Sequence, residues 1–181
     1  EITKGGTTRK TLNVIMSSKT GGFKTGTMCH FASRWLLAGY DVLYITLEMS
    51  ENRIRERIDA NLLNTPLDSL RGIKQDWYKQ RLEEIKKRTT GRLVIKEYPT
   101  SCGHVGHFRF LLKELAQKRS FKPAIIFVDY LNICASQRLA GANSAQTYVW
   151  VKSIAEELRG MGMEYDASVW SATQSGRQGN A

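Results

Sequence analysis

The sequence predicts an α/β fold: a mainly parallel sheet with helices on both faces. Three observations predict it. Short apolar runs alternate with amphipathic helical stretches along the chain, and each strand–crossover–strand unit of that kind builds parallel pairing. Ala124–Val128 (AIIFV) is apolar throughout, as a central strand buried on both faces requires. Glycine and polar residues collect where the apolar runs end, which is where such sheets bind ligands.

The elements follow in order. Leu12–Met16 (LNVIM) reads as a buried strand, followed by a glycine-rich turn and a helix from Thr25 to about Ala38, stopped by Gly39. Asp41–Leu47 (DVLYITL) is a second strand, and Ser50 is placed to cap a helix running to about Leu63. Asp76–Arg88 is a strongly charged helix, and Leu93–Glu97 a third strand. Val105–Lys118 is helical, with Phe108, Leu111, Leu112 and Leu115 on one face. After the Ala124–Val128 strand comes a polar segment, Ser136–Ala145, then a helix from about Gln146 to Leu158 and a last strand at Ser168–Ala172.

Composition narrows the function classes. The 181 residues suit one domain, and 41% hydrophobic content supplies a core. No apolar run approaches the roughly 20 residues that span a bilayer. Three cysteines are too few and too scattered for a disulfide framework, so a reducing compartment is the simpler expectation. Cys102, His104 and His107 offer metal-type ligands but sit in a glycine-rich turn without a clear fourth, so they are expected to be loop residues without metal. The net charge of +10, from 27 Lys and Arg against 17 Asp and Glu, favours an anionic partner. The chain starts at Glu1 and stops in a polar stretch at Ala181, and reads as a piece of a longer protein.

The chemistry concentrates in Ser17–Thr25 (SSKTGGFKT), between a strand and a helix. A phosphate-binding loop needs glycines so that backbone N–H groups can converge on phosphate oxygens. It also needs a Lys for the terminal phosphates and a Ser or Thr hydroxyl for Mg²⁺. Lys24 and Thr25 match those last roles, and Gly21 and Gly22 supply backbone freedom. The strict pattern G-x-x-x-x-G-K-[ST] is not met, because Ser18 stands at its first glycine and Phe23 at its second. Other strand ends add to the picture. Asp129 follows AIIFV, where a carboxylate can hold a Mg²⁺-bound water. Glu48 ends the second strand, where it can polarise an attacking water. Gln174 follows the last strand, where an amide can sense a γ-phosphate. Each residue also has an ordinary reading, as a turn cap or a solvated strand end; their combination is what points to a nucleotide site.

At this level the sequence resembles the motor domain of DnaB-family replicative helicases, in particular the T4-type phage branch. The matching stretches are GGTTRKTLNVIM, the loop through Lys24-Thr25, DVLYITLEMS, RIDANLL, GRLVIKEYPT, IIFVDYLNIC, VKSIAEELR and SATQ, in family order across nearly the whole chain. The resemblance implies a RecA-like P-loop NTPase fold over residues 1–181 as a single motor domain, lacking the family's N-terminal domain and distal C-terminal part. It implies ATP and Mg²⁺ as cofactors, and ATP-dependent movement along single-stranded DNA that unwinds duplex. Ser18, Gly21, Gly22, Phe23, Lys24 and Thr25 would form the nucleotide loop, with Thr25 and Asp129 on the Mg²⁺ side. Glu48 would be the catalytic base, and Gln174 the γ-phosphate sensor. Implied partners are single-stranded DNA and other copies of the chain in a ring, a hexamer by analogy, with primase and a helicase loader as further candidates and no membrane. The implied setting is the cytoplasm of a bacterial or phage-infected cell.

Arg138, in the polar segment after the fourth strand, and Arg177, three residues after Gln174, are candidate DNA contacts through phosphates. Neither loop carries an aromatic residue for base stacking, so backbone tracking with little sequence preference is expected. The Lys/Arg-rich helix Gln80–Arg88 is interleaved with Glu and reads as a solvated face. Trp35, Trp77, Trp150 and Trp170 read as core or subunit-interface residues.

Phe23 is a departure from the family pattern, which has glycine before the P-loop Lys. Its ring either packs against the first helix or the strand behind the loop, or fills the phosphate cradle. The first placement is expected, because Lys24, Thr25, Glu48, Asp129 and Gln174 are all present. Two other functions share parts of the pattern: a RecA-like recombinase-type ATPase, and a non-hydrolysing DNA-binding ring subunit in which Phe23 excludes ATP.

Overall fold

The computed structural model describes residues 7–17, 23–70, 72–139 and 147–174. Among these, five strands form one parallel sheet in the order β1-β5-β4-β2-β3, with β1 Leu12–Ser17, β2 Val42–Thr46, β3 Leu93–Glu97, β4 Ile125–Asp129 and β5 Ser168–Gln174. The helices are α1 Lys24–Leu37, α2 Glu51–Leu62, α3 Leu67–Leu70, α4 Gln75–Arg88, α5 Val105–Arg119 and α6 Thr147–Glu164.

Side-chain alternation along the central strands splits the core into two layers. Leu43, Ile45, Ile126 and Val128 face α5 and α6, where Phe108, Leu111, Leu112 and Leu115 pack with Ile154 and Leu158. Val42, Tyr44, Ile125 and Phe127 face α1 and α2, against Met28, Cys29, Ala32, Leu36, Ile54 and Ile58. β2 and β4 are buried along their whole length, as their continuous apolar runs anticipate.

Several boundaries differ from the sequence reading. β2 stops at Thr46, so Glu48 lies in a turn two residues beyond the strand. Gln174 is the last residue of β5 rather than a loop residue after it. α6 continues past Leu158 through Gly160 and Gly162 to Glu164. Glycine normally weakens a helix, but a Cβ at Gly162 would come within 2.9 Å of Val169 Cγ2, so its lack of a side chain lets α6 lie close on β5. The four-residue α3 and a 3₁₀ turn at Leu131–Ile133 are too short to leave a periodic signal.

Other expectations hold. The Ser50 hydroxyl accepts from the Arg53 N–H at 3.4 Å and caps α2. α4 has no fully buried residue and carries Arg81–Glu84 and Lys86–Glu83 ion pairs on its surface. Trp35 and Trp170 lie in one aromatic cluster, ring centroids 5.3 Å apart, with Phe31 and Phe127. Trp150 packs against the other layer, whereas Trp77 is exposed and lies under Arg81. No helix among the described residues is long and apolar enough to cross a membrane.

Candidate nucleotide site

The carboxyl ends of β1, β5, β4 and β2 lie side by side, and the start of α1 faces them. Ser17 pairs with Gln174 across β1 and β5, and Thr46 pairs with Asp129 across β2 and β4. This register is what assembles the site: residues from distant segments of the chain meet because parallel strands end together.

Asp129 is 1% exposed and anchors the centre. Its Oδ2 accepts from the Tyr44 hydroxyl at 3.0 Å. Its Oδ1 is buried and has no hydrogen-bond partner among the described residues. Burial pushes its carboxyl above the ordinary value; the Thr25 and Tyr44 hydroxyls and the Lys24 charge act against that, and Glu48 adds to it. Those influences place Thr25, Lys24 and Glu48 around the same carboxylate. The Lys24 ammonium lies 5.6 Å from the centroid of the Tyr130 ring, the residue after Asp129.

Glu48 is exposed at the mouth of the site; burial raises the Tyr130 phenol, and the Glu48 charge adds to that rise as it does for the Asp129 carboxyl. The turn that presents it is held at three points. The Thr46 hydroxyl donates to Met49 O at 2.8 Å and accepts from the Met49 N–H. The Leu47 N–H donates to Asp129 O at 2.9 Å. The Thr100 hydroxyl donates to Leu47 O at 2.6 Å. A carboxylate on so constrained a turn loses little freedom when it engages a water.

Gln174 is joined to the exit of β4 through Asn132, whose Oδ1 accepts from the Thr173 hydroxyl at 2.8 Å and the Gln174 N–H at 3.4 Å. Asn132 and Tyr44 were not singled out from the sequence. Tyr44 could have been: it shares the strand parity of the α1-facing residues that leads to Asp129, and a phenol in that apolar stretch needs a partner.

Phe23 takes a left-handed conformation, φ 55° and ψ 21°, directly before α1. Glycine adopts that conformation without steric cost, so a phenylalanine here is held against its own backbone preference. The ring folds back over the first turn of α1 above Gly26 and borders the groove between α1 and α2, with His30, Arg34 and Arg57 farther along it. Ser18, Gly21 and Gly22 lie outside the described residues.

Of the two arginines proposed for DNA, Arg177 also lies outside the described residues. Arg138 Nη1 makes an exposed ion pair with Glu156 at 2.8 Å. The backbone around it is firmly attached. Glu157, buried on α6, accepts from the Ser136 hydroxyl at 2.7 Å, the Gln137 and Arg138 N–H groups at 3.1 and 3.2 Å, and the Ser153 hydroxyl at 3.2 Å. Cys102 lies in the turn before α5, but His107, expected in a loop, lies in the first turn of α5; His104 Nδ1 accepts from the Gly106 N–H at 3.0 Å and so caps that helix, while its ring stacks on His107 with centroids 3.8 Å apart.

Comparison with known proteins is consistent with this geometry. The model of a family described as the DnaB-like helicase C terminal domain matches residues 1–181. A DnaB-like replicative helicase of Enterobacteria phage T4 is 43% identical over 181 residues, covering 98% of this chain and 38% of that protein. Among solved structures, one described as a DnaB-like replicative helicase and its interactions with primase superposes with a TM-score of 0.71 at 19% identity, over 94% of this chain and 40% of that one. A second solved structure, described as an ATPase domain, superposes with a TM-score of 0.67 at 18% identity, over 97% of this chain and 61% of that one. These superpositions bear out the RecA-like α/β fold. The chain thus spans well under half the length of its T4 relative.

Proposed function

The chain belongs to the DnaB-like helicase C-terminal domain family, and on that premise we propose that residues 1–181 form the single ATP-hydrolysing motor domain of a replicative helicase that moves along single-stranded DNA and unwinds duplex. The observation that carries the proposal is the convergence of Lys24, Thr25, Glu48 and Asp129 at adjoining strand ends, with Gln174 beside them.

The roles follow from chemistry. The N–H groups at the start of α1 and the Lys24 ammonium bind the phosphates of ATP, with Ser18, Gly21, Gly22 and Phe23 as the loop backbone. Thr25 and Asp129 fit Mg²⁺: a hydroxyl stands beside a buried carboxylate with one oxygen, Oδ1, unpartnered among the described residues. A Mg²⁺ held by them would supply positive charge against the phosphates. Glu48, on its braced turn, accepts the proton of the attacking water. Gln174 reads the γ-phosphate and passes its state to β5 and, through Asn132, to the segment after β4.

The functional unit is a ring of identical subunits, a hexamer by family analogy, with an arginine finger supplied by a neighbour. Primase is a partner by analogy with the solved relative whose interactions with primase were described; a helicase loader is another candidate, and the setting is cytoplasmic. Phe23 supports the motor reading over a structural subunit, because its ring lies over Gly26 on the α1–α2 side.

The test is ATP turnover by the full-length protein with and without single-stranded DNA, beside Glu48→Gln. DNA-stimulated turnover that the variant loses is expected. Turnover indifferent both to DNA and to the substitution would overturn the reading.

A further inference from the structure

Tyr44 sits in the middle of β2 and is 0% exposed. It takes part in a buried polar chain across three elements. Cys29 Sγ, on α1, donates to Tyr44 Oη at 3.8 Å, and the Tyr44 hydroxyl donates to Asp129 Oδ2, on β4, at 3.0 Å. The phenol ring is held by stacking on Phe127, with centroids 5.4 Å apart and planes 22° from parallel.

A carboxylate has two chemically equivalent oxygens and a soft terminal torsion, so by itself it does not present one oxygen in one direction. Here a fixed donor occupies Oδ2, and Oδ1 is left buried and unpartnered among the described residues. A buried acceptor without a partner is costly unless a ligand completes it. We propose that Tyr44 is a positioning residue for metal binding: the Cys29–Tyr44–Asp129 chain locks the carboxylate plane so that Oδ1 faces the Mg²⁺ of the bound nucleotide through its water shell. Outer-shell partners of this kind orient the groups that face a metal. The inference rests on the reading of Asp129 as the metal-side acid.

The experiment measures affinity of the full-length protein for a fluorescent ADP analogue as Mg²⁺ is titrated, starting from EDTA, for wild type, Tyr44→Phe and Asp129→Asn. Tyr44→Phe keeps the ring and its stacking and removes one hydroxyl. Its affinity in EDTA should match wild type, while the Mg²⁺ concentration for half-maximal tightening should rise by about ten-fold. Equal loss of affinity with and without Mg²⁺, or an unchanged midpoint while Asp129→Asn abolishes the Mg²⁺ effect, would overturn the role of Tyr44 alone. An Asp129→Asn protein with the wild-type Mg²⁺ response would remove the metal reading itself, and the proposal with it. If Tyr44→Phe does not fold, Cys29→Ala decides. It leaves the Tyr44–Asp129 bond in place and removes the donor that orients it, so the midpoint should rise by about two-fold, a fraction of the full outer-shell effect; no rise would overturn the chain.

Discussion

The ring of Phe23 lies so close over Gly26 that a Cβ at position 26 would come within 2.5 Å of Phe23 Cε1 and Cζ, and the ring supplies all three of the nearest atoms it would meet. The two residues are therefore coupled. Gly26→Ala should displace the ring and weaken nucleotide affinity several-fold, and the same substitution in a Phe23→Gly background should leave affinity unchanged. A double-mutant cycle on nucleotide affinity checks this, and additive effects would show that the ring is not the intermediary.

Phe23→Gly alone should change little, and the magnitudes say why. The side chain is 69% exposed, so it buries about a third of roughly 200 Å², worth about 1.5 kcal/mol. Releasing a non-glycine residue from the left-handed region returns about 1–2 kcal/mol. Stability should stay within about 1 kcal/mol of wild type and ATP affinity should change only modestly, by denaturation and binding titration. A wild type that binds no ATP beside a variant that binds it tightly would instead favour a structural subunit.

Glu48→Gln should bind nucleotide as wild type does and lose roughly 10²–10⁴-fold in hydrolysis, the usual contribution of a general base. Glu48 is exposed, so stability should move by less than about 0.5 kcal/mol. Lys24→Ala should weaken nucleotide binding itself. Single-turnover hydrolysis beside equilibrium binding separates the two, and normal hydrolysis by Glu48→Gln would place the base elsewhere.

Glu157 should anchor the start of the segment after β4. Burial opposes its charge, but hydrogen bonds from the Ser136 hydroxyl, the Gln137 and Arg138 N–H groups and Ser153 hold its carboxyl below the ordinary 4.5. A carboxylate lowered by folding stabilises above its unfolded value and loses that contribution as pH falls through the folded value. Glu157→Gln should cost about 2–3 kcal/mol at neutral pH, and the gap from wild type should narrow below pH 4.5. Urea denaturation at the two pH values measures it.

Arg138→Ala should lower the slope of log affinity for single-stranded DNA against log salt by about 0.7, one phosphate contact. Its ion pair with Glu156 is exposed and worth at most about 1 kcal/mol, so a phosphate can replace that partner at small cost. Arg177→Ala tests the second candidate in the same way. An unchanged slope in both would assign the tracking contacts to other residues.

The sequence by itself determined the parallel α/β architecture, because each of its signals is local. The apolar runs that become β2 and β4, the strand–turn–helix around Lys24 and Thr25, and the Ser50 cap are all readable within a few residues. The family motifs likewise marked Glu48, Asp129 and Gln174 one at a time. The tertiary structure alone decided how they meet. Strand order and register bring Thr46 opposite Asp129 and Ser17 opposite Gln174, and pairing between distant segments leaves no local trace. For the same reason Tyr44 reads as one more core residue in DVLYITL, and Glu157 as a surface charge in AEELR. Their roles arise from partners 85 and about 20 positions away. Phe23 shows the division within one residue. The sequence marks a side chain where relatives carry glycine, but the left-handed backbone and the bare surface of Gly26 decide that the ring turns onto α1.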